Sequence, residues 1–238
     1  MTFDPFEKLP GKFSTNDGTI DFYLRVRTFI KKNSIVVDLG AGKGEWVTTN
    51  KNLKIRKQIQ FIKKDVKKLY AADIDPAVLK NKSSSKNFLI KNNKLPFKKN
   101  SIDIIISDWT FEHIENPNIF YKEINRVLKR KGILCFRTPH KYNYFALINK
   151  LLEGKLIKYI LLHKSQPGRG SYFRSFYKLN STMDIKKIFS NYKLNYLLFK
   201  PDPSYFFGSK ILFYFFLIIH SVLPRVFVAT IYGFLEKK

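Results

Sequence analysis

Short apolar strands that end in an acid, each followed by a turn and a helical stretch, predict an α/β fold. The expected architecture is an open, mostly parallel sheet with helices on both faces. Three segments carry that expectation: Ile35-Val36-Val37-Asp38-Leu39, Leu69 to Asp73, and Ile102 to Ile106 followed by Ser107-Asp108. Continuous β-branched runs suit strands buried on both faces. In such a sheet, ligands bind beyond the carboxyl ends of the strands.

The first strand opens into Gly40-Ala41-Gly42-Lys43-Gly44. Glycine at alternate positions brings bare backbone N–H groups up to a ligand. The pattern Asp-x-Gly-x-Gly-x-Gly differs from the dinucleotide fingerprint Gly-x-Gly-x-x-Gly. Its acid lies inside the motif, where it suits an ammonium group, or a water beside one, better than a pyrophosphate. Asp73, ending the second strand, is placed to accept both hydroxyls of a ribose. Asp75, next to Pro76, reads as the N-cap of the following helix.

Leu95-Pro96-Phe97 precedes the next strand, whose end runs Ser107-Asp108-Trp109-Thr110-Phe111-Glu112-His113-Ile114. Phe120 to Lys129 has helical spacing through Ile124, Val127 and Leu128, and Gly132 leads into a strand over Ile133 to Thr138. Farther on, Tyr142 to Ile160 alternates helical apolar positions with lysine, and Gln166-Pro167-Gly168-Arg169-Gly170 reads as a loop. Ser181-Thr182-Met183-Asp184 has capping-box spacing. Tyr192 to Phe199 and Ser204 to Phe207 are expected to be the last two strands.

These blocks together resemble the class I S-adenosylmethionine-dependent methyltransferases of the type 11 family. The resemblance runs from about Ile35 to His140 through DLGAGKG, DIDP, LPF, IIISDWTFEHI and EINRVLKRKGIL. It implies a Rossmann-like, seven-stranded, mostly parallel sheet whose final strand is antiparallel, complete by about Gly208. It implies S-adenosylmethionine as cofactor, with Gly40, Gly42 and Gly44 passing its methionine tail, Asp38 ordering the amino end and Asp73 taking the ribose. Asp108 and Trp109, at the same strand edge, are expected to join the cofactor site; Trp109 is either a wall of that site, its π face suited to a sulfonium, or a core aromatic. Family members commonly place an acid before Leu-Pro-Phe to contact the adenine amine. This chain has Lys91-Asn92-Asn93-Lys94 there, which leaves Asn92 or Asn93 for the contact. For a hydroxyl acceptor, His113 and then His140 are the candidate general bases, each with a structural role as the alternative.

The strand end Ser107-Asp108-Trp109-Thr110 lacks the Pro-Pro-Tyr that clamps a flipped base. It points away from nucleic-acid amines and toward a small-molecule, glycan or lipid-linked acceptor under a lid of Phe13 to Phe22 and Lys141 to Asn180. Lys and Arg number 44 against 18 acids, a formal charge of +26. That charge attracts polyanions, yet its even spread equally fits lysine filling surface positions. The lone Cys135, inside an apolar strand, reads as a buried inert thiol, and no metal is expected. The chain divides into an N-terminal cap (1–34), the cofactor core (35–140), lid and last strands (141–208), and an apolar C-terminal helical extension (209–238). The uninterrupted run from Ile211 to Ile219 is about half of the ~20 residues a spanning helix needs. It is either a buried helix or an interfacial anchor on an anionic membrane surface. Met1 to Pro10 lacks the apolar core of a secretory signal, so a cytoplasmic protein, peripheral on the inner membrane face under the anchor reading, is expected.

Overall fold

A computed structural model of the chain describes residues 3–49, 54–152, 173–204 and 206–238. Seven strands form one sheet in the order β3-β2-β1-β4-β5-β7-β6. They are β1 (Ile35–Leu39), β2 (Lys68–Asp73), β3 (Lys86–Leu89), β4 (Ile102–Asp108), β5 (Leu128–Pro139), β6 (Tyr192–Phe199) and β7 (Thr230–Lys237). The pairs from β3 to β5 are parallel, and β7 runs antiparallel to both of its neighbours. Strand order reverses between β1 and β4, so their carboxyl ends open the crevice where such sheets take ligands.

The described helices are α1 (Gly18–Arg27), α2 (Trp46–Thr49), α3 (Lys54–Gln60), α4 (Pro117–Val127), α5 (Tyr144–Leu151), α6 (Thr182–Ile188), α7 (Lys210–Val222) and α8 (Arg225–Val228). Successive residues of the central strands feed opposite faces, as the period of two requires. Val37, Ile105, Phe136 and Leu235 pack with Ile124 and Val127 of α4 and Ile185 of α6. Val36, Ile104, Ile106, Cys135 and Phe234 pack with Phe22, Tyr23 and Val26 of α1. Burial on both faces explains the unbroken apolar runs. It also pushes the Cys135 thiol well above its ordinary pKa, so the cysteine stays protonated.

Local signals set the helix starts. Asn116 caps α4 by accepting from the Ile119 N–H at 3.2 Å, with Pro117 in the first turn. Ser181 caps α6 through the Asp184 N–H, as the capping-box spacing implies. Asp75 accepts from the Ala77 N–H at 2.8 Å and opens a short 3-10 turn over Pro76–Lys80. The expected loop at Gln166–Gly170 and the helical stretch as far as Ile160 fall on or run into residues 153–172, outside the described residues.

The end of the chain departs from expectation. In the expected strand Ser204–Phe207, Tyr205 lies outside the described residues and the others are not in a strand: Phe207 and Gly208 are both left-handed, at φ 51° and 72°, and close a turn. The seventh strand is Thr230–Lys237, so the sheet is not complete at Gly208 and residues 209–238 are not a purely helical extension. The reason lies in Gly233, which interrupts the apolar run and weakens it as a sequence signal. The Phe136 ring of β5 lies over that glycine, and a Cβ there would come within 2.1 Å of Phe136 Cζ. Glycine is the residue that lets β7 close against β5.

Gly233→Ala is expected to destabilise the fold by about 1–3 kcal/mol through overpacking, seen as a lower urea midpoint. In a Phe136→Leu background, where the ring tip is gone, the same substitution should cost less. Equal costs in both backgrounds would show that the ring contact is not what selects glycine.

Candidate active site

Three carboxylates meet where β2, β1 and β4 end. Asp38 is the penultimate residue of β1, and Asp73 and Asp108 are the last of β2 and β4. The turn between Asp38 and Gly44 is left-handed at all three glycines, with φ values of 79°, 48° and 68°. Each glycine has its own reason. A Cβ on Gly40 would strike Thr110 Oγ1 at 2.1 Å, and one on Gly44 would strike Asn81 Oδ1 at 2.6 Å. A Cβ on Gly42 would meet nothing within 4 Å. The tip of the turn faces open space, as a backbone cradle for a ligand must.

Asp73 holds this turn from below. Its Oδ2 accepts from the Gly42 N–H at 2.7 Å and its Oδ1 from the Asp75 N–H at 2.9 Å. A carboxylate offers about four acceptor sites, so capacity for a ribose diol remains. Burial raises the Asp73 pKa, and those N–H donors partly restore it. Asn81 secures the turn from the side, donating to the Ala41 and Gly42 carbonyls at 3.2 and 3.0 Å.

The Asp38 pKa rises from an ordinary value near 3.8 to about 7, first through burial, then through the charges of Asp108 and Asp73. Beside it lies a cavity of about 10 Å³ lined by Tyr23, Trp46, Gln60 and Ile106, the size of a single water. Such a pair of carboxylates is a site that wants a cation. The ammonium and sulfonium of S-adenosylmethionine fit it in sign, and the bare Gly42 backbone fits it in shape.

Asp108 is committed elsewhere. It forms a bidentate ion pair with Arg137 of β5, with Arg137 Nη2 at 2.9 Å from Oδ2 and Nε bonded to Oδ1. Burial by itself would lower the Arg137 pKa; Asp108 more than offsets it and holds the guanidinium charged. Arg137 also donates to Thr19 Oγ1 of α1 at 3.1 Å and stacks on the rings of Phe22 and Trp109, each at 5.3 Å. Trp109 is therefore no core aromatic: it is 43% exposed, left-handed at φ 55°, and offers its indole at the crevice.

The two histidines differ in which nitrogen keeps a lone pair. His113 Nδ1 lies 3.0 Å from the Arg174 carbonyl, which only accepts, so Nδ1 carries the proton and Nε2 has the lone pair. His140 Nδ1 accepts from the Tyr142 N–H at 3.2 Å, which puts the neutral ring's proton on Nε2. Burial and Lys141 lower the His140 pKa. The lone pair of neutral His140 is thus engaged by the Tyr142 N–H, whereas that of His113 lies on Nε2, the nitrogen not bonded to Arg174.

Asn92 and Asn93 are exposed and both left-handed, at φ 52° and 54°, between the bridged Lys91 and Lys94. That pair of positive φ values is what a type I′ turn requires, and asparagine tolerates it. Several working residues carry no local signal: Asn81, Arg137, and Glu112, whose carboxyl accepts from Thr138 Oγ1 at 2.8 Å. Burial raises the Glu112 pKa. The Leu-Pro-Phe loop is tied to α4, where Glu123 accepts from the Leu95 N–H and Arg126 donates to the Leu95 and Phe97 carbonyls.

Residues 37–136 match a family model described as a methyltransferase domain. The chain is similar in fold to the YcgJ protein from Bacillus subtilis, at TM-score 0.58 and 14% identity over 92% of this chain and 98% of that one. It is similar likewise to an S-adenosylmethionine-dependent methyltransferase from Aquifex aeolicus, at TM-score 0.51 and 14% identity over 94% and 95% of the two chains. A geranyl diphosphate C-methyltransferase from Streptomyces coelicolor, solved with S-adenosyl-L-homocysteine, matches at TM-score 0.57 and 10% identity over 92% and 75%. An uncharacterized protein of Methanocaldococcus jannaschii is 30% identical over 129 residues, 54% of this chain and 46% of that protein. The chain thus spans about half the length of that curated relative. Fold, glycine turn and family match agree: residues 37–136 are similar to a methyltransferase domain, on a sheet whose fold the chain shares with S-adenosylmethionine-dependent methyltransferases.

Two outcomes follow from this geometry. Asp108→Asn leaves the buried Arg137 charge unpaired and should cost about 3–5 kcal/mol, with Asp108→Asn/Arg137→Met recovering most of it; denaturant titration reads both. For Asp38, the folded pKa lies above the unfolded one. The unliganded fold therefore gains from protonation below about pH 4 and loses that gain as pH rises through about 7. A cation beside Asp38 needs the ionised form, so affinity for S-adenosylmethionine should rise with pH and level off above about 7, with proton release on binding. Calorimetry in buffers of different ionisation enthalpy checks this, and Asp38→Asn should flatten the profile.

Proposed function

We propose that the protein transfers the methyl group of S-adenosylmethionine to a nucleophilic atom of a small-molecule, glycan or lipid-linked acceptor. The observation that carries this reading is the open left-handed turn at Gly42 set between the carboxylates of Asp38 and Asp73. When bound, the cofactor supplies a methyl group already activated on a sulfonium. The protein's work is then to align donor and acceptor and to exclude water. Asp38 faces the ammonium end, Asp73 takes the ribose, and Trp109 lines the crevice with an exposed π face. For a hydroxyl acceptor, the lone pair on His113 Nε2 takes the proton; an amine or carboxylate acceptor needs no such base.

Asp108 bears on the acceptor class. An acid at this strand end that clamps a base amine must have its oxygens free, and both oxygens of Asp108 are bonded to Arg137. The basic surface argues in the same direction. A concavity of about 440 Å³ is lined by Arg130, Lys131, Lys193, Lys237 and Lys238, with Glu236 the one acid among them. These residues lie where β5 and β6 begin and β7 ends, at the edge of the sheet opposite the glycine turn. A polyanion gathered there is not presented to the methyl donor.

The purified protein is expected to bind S-adenosylmethionine in calorimetry, and Asp73→Ala to weaken binding roughly tenfold or more, the scale of lost hydrogen bonds to a charged group. Wild-type protein with no affinity, or an Asp73→Ala variant with unchanged affinity, would sink the reading. With a hydroxyl acceptor in hand, His113→Ala should lower turnover while leaving cofactor affinity unchanged.

A further inference from the structure

Helix α7 is built with its polarity reversed. Phe213, Phe216 and His220 share its inner face. Phe213 packs on Phe3 and Phe206, and Phe216 packs on Tyr144 and Phe145 of α5. His220 is buried: its Nδ1 donates to the Pro201 carbonyl at 3.1 Å, and its Nε2 meets Tyr144 Oη at 3.1 Å. The opposite stripe follows the i, i+3, i+4, i+7, i+11 spacing of one helical face: Ile211, Tyr214, Phe215, Ile218 and Val222. A surface helix ordinarily turns polar side chains outward there. In α7, Ile211 is 82% exposed, Ile218 63% and Val222 77%. Leu151 of the neighbouring α5 is a further exposed apolar side chain.

Along the chain the charges flanking this stripe are basic: no acid occurs between Asp202 and Glu236, Lys210 begins α7 and Arg225 follows three residues after its end, while Asp4 and Glu7 belong to the segment whose Phe3 and Phe6 pack on Phe213. The position in the fold is equally specific. The connection holding α7 leaves the carboxyl end of β6 at Phe199 and returns at Thr230, which pairs with Pro139 at the carboxyl end of β5. The apolar stripe therefore belongs to the edge of the sheet that carries the glycine turn, Asp108 and His113.

From these observations we propose that the outer face of α7 docks on an anionic lipid bilayer and that the methyl acceptor is an amphiphile drawn from that bilayer. The inference rests on the methyltransferase reading and narrows its acceptor to the lipid-linked class. Exposed aliphatic and aromatic side chains flanked by cations are what an interfacial helix places among headgroups and acyl chains. Among the described residues no helix is long and apolar enough to cross a membrane, so this contact is made lying on the surface. A second copy of the chain is the poorer occupant, because two bodies of +26 formal charge repel one another.

The test compares the full chain with Ile211→Ser/Phe215→Ser/Ile218→Ser, three exposed positions outside the cofactor site. The measurements are flotation with phosphatidylcholine vesicles, with and without phosphatidylglycerol, and calorimetry with S-adenosylmethionine. Wild type should float with the anionic vesicles, less so as salt rises, and the triple variant should lose roughly tenfold or more of that partition at unchanged cofactor affinity. When cell extract is methylated with labelled S-adenosylmethionine, the label should enter the organic-solvent fraction. Equal flotation of the two proteins, no flotation of wild type, or a wild-type dimer that the variant dissociates would overturn the docking. Label confined to the aqueous fraction would overturn the acceptor class. Loss of cofactor binding in wild type defeats the methyltransferase reading instead, and vesicle binding is read independently of it.

Discussion

The ion pair between Arg137 and Asp108 is the contact on which the site depends. It joins the carboxyl ends of β4 and β5, reaches α1 through Thr19, and carries Phe22 and Trp109 on the flat guanidinium. A buried arginine is tolerated only when its charge is met and its donors are used, and here one side chain satisfies both conditions while positioning three elements. It also sorts the acids: Asp108 is neutralised inside the protein, while Asp38 and Asp73 are left to answer to a ligand.

The glycine turn and the acids were legible because their roles are local. Asp38 to Gly44 is a backbone shape, and a backbone shape that needs left-handed residues in series writes itself as glycine. The Asp75 cap acts two residues on, and Asp73, marked by its place at a strand end, bonds Asp75 as well as reaching back to Gly42. By contrast, Asn81 acts on Ala41 and Gly42 from about forty residues away, and Arg137 acts on Asp108 across a strand pair. Nothing in their immediate sequence marks them, and only the folded topology brings them to the turn. Asn92 and Asn93 are legible for a second reason, since the left-handed backbone of their turn favours asparagine whatever else the side chains contact.

The misplaced last strand shows a different limit. Periodicity separates helix from strand when one face is polar, and both α7 and β7 lack that contrast. The outer face of α7 is apolar where water should have imposed polarity, and β7 is buried on both sides. A glycine in the middle of β7 then reads as an interruption, although it is the point of closest approach to Phe136. Of the two readings offered for the apolar run, burial describes the inner face of α7 and exposure the outer one.

The order of the strands also bears on how the protein is assembled. Among the described residues β6 has β7 as its only strand neighbour, and β7 is the last of the seven to be made. Until then β6 is a strand with both edges unpaired, and the edge of β5 away from β4 is open. Closing the sheet joins Ile133 to Glu236, a contact of long sequence separation whose loop-closure entropy must be met before any pairing rewards it. Synthesis therefore passes through a stage with exposed strand edges and an apolar helix beside them, the kind of intermediate that aggregates. A chain of high positive charge keeps such intermediates apart. A formal charge of +26 sets repulsion between chains against the pairing of such open edges.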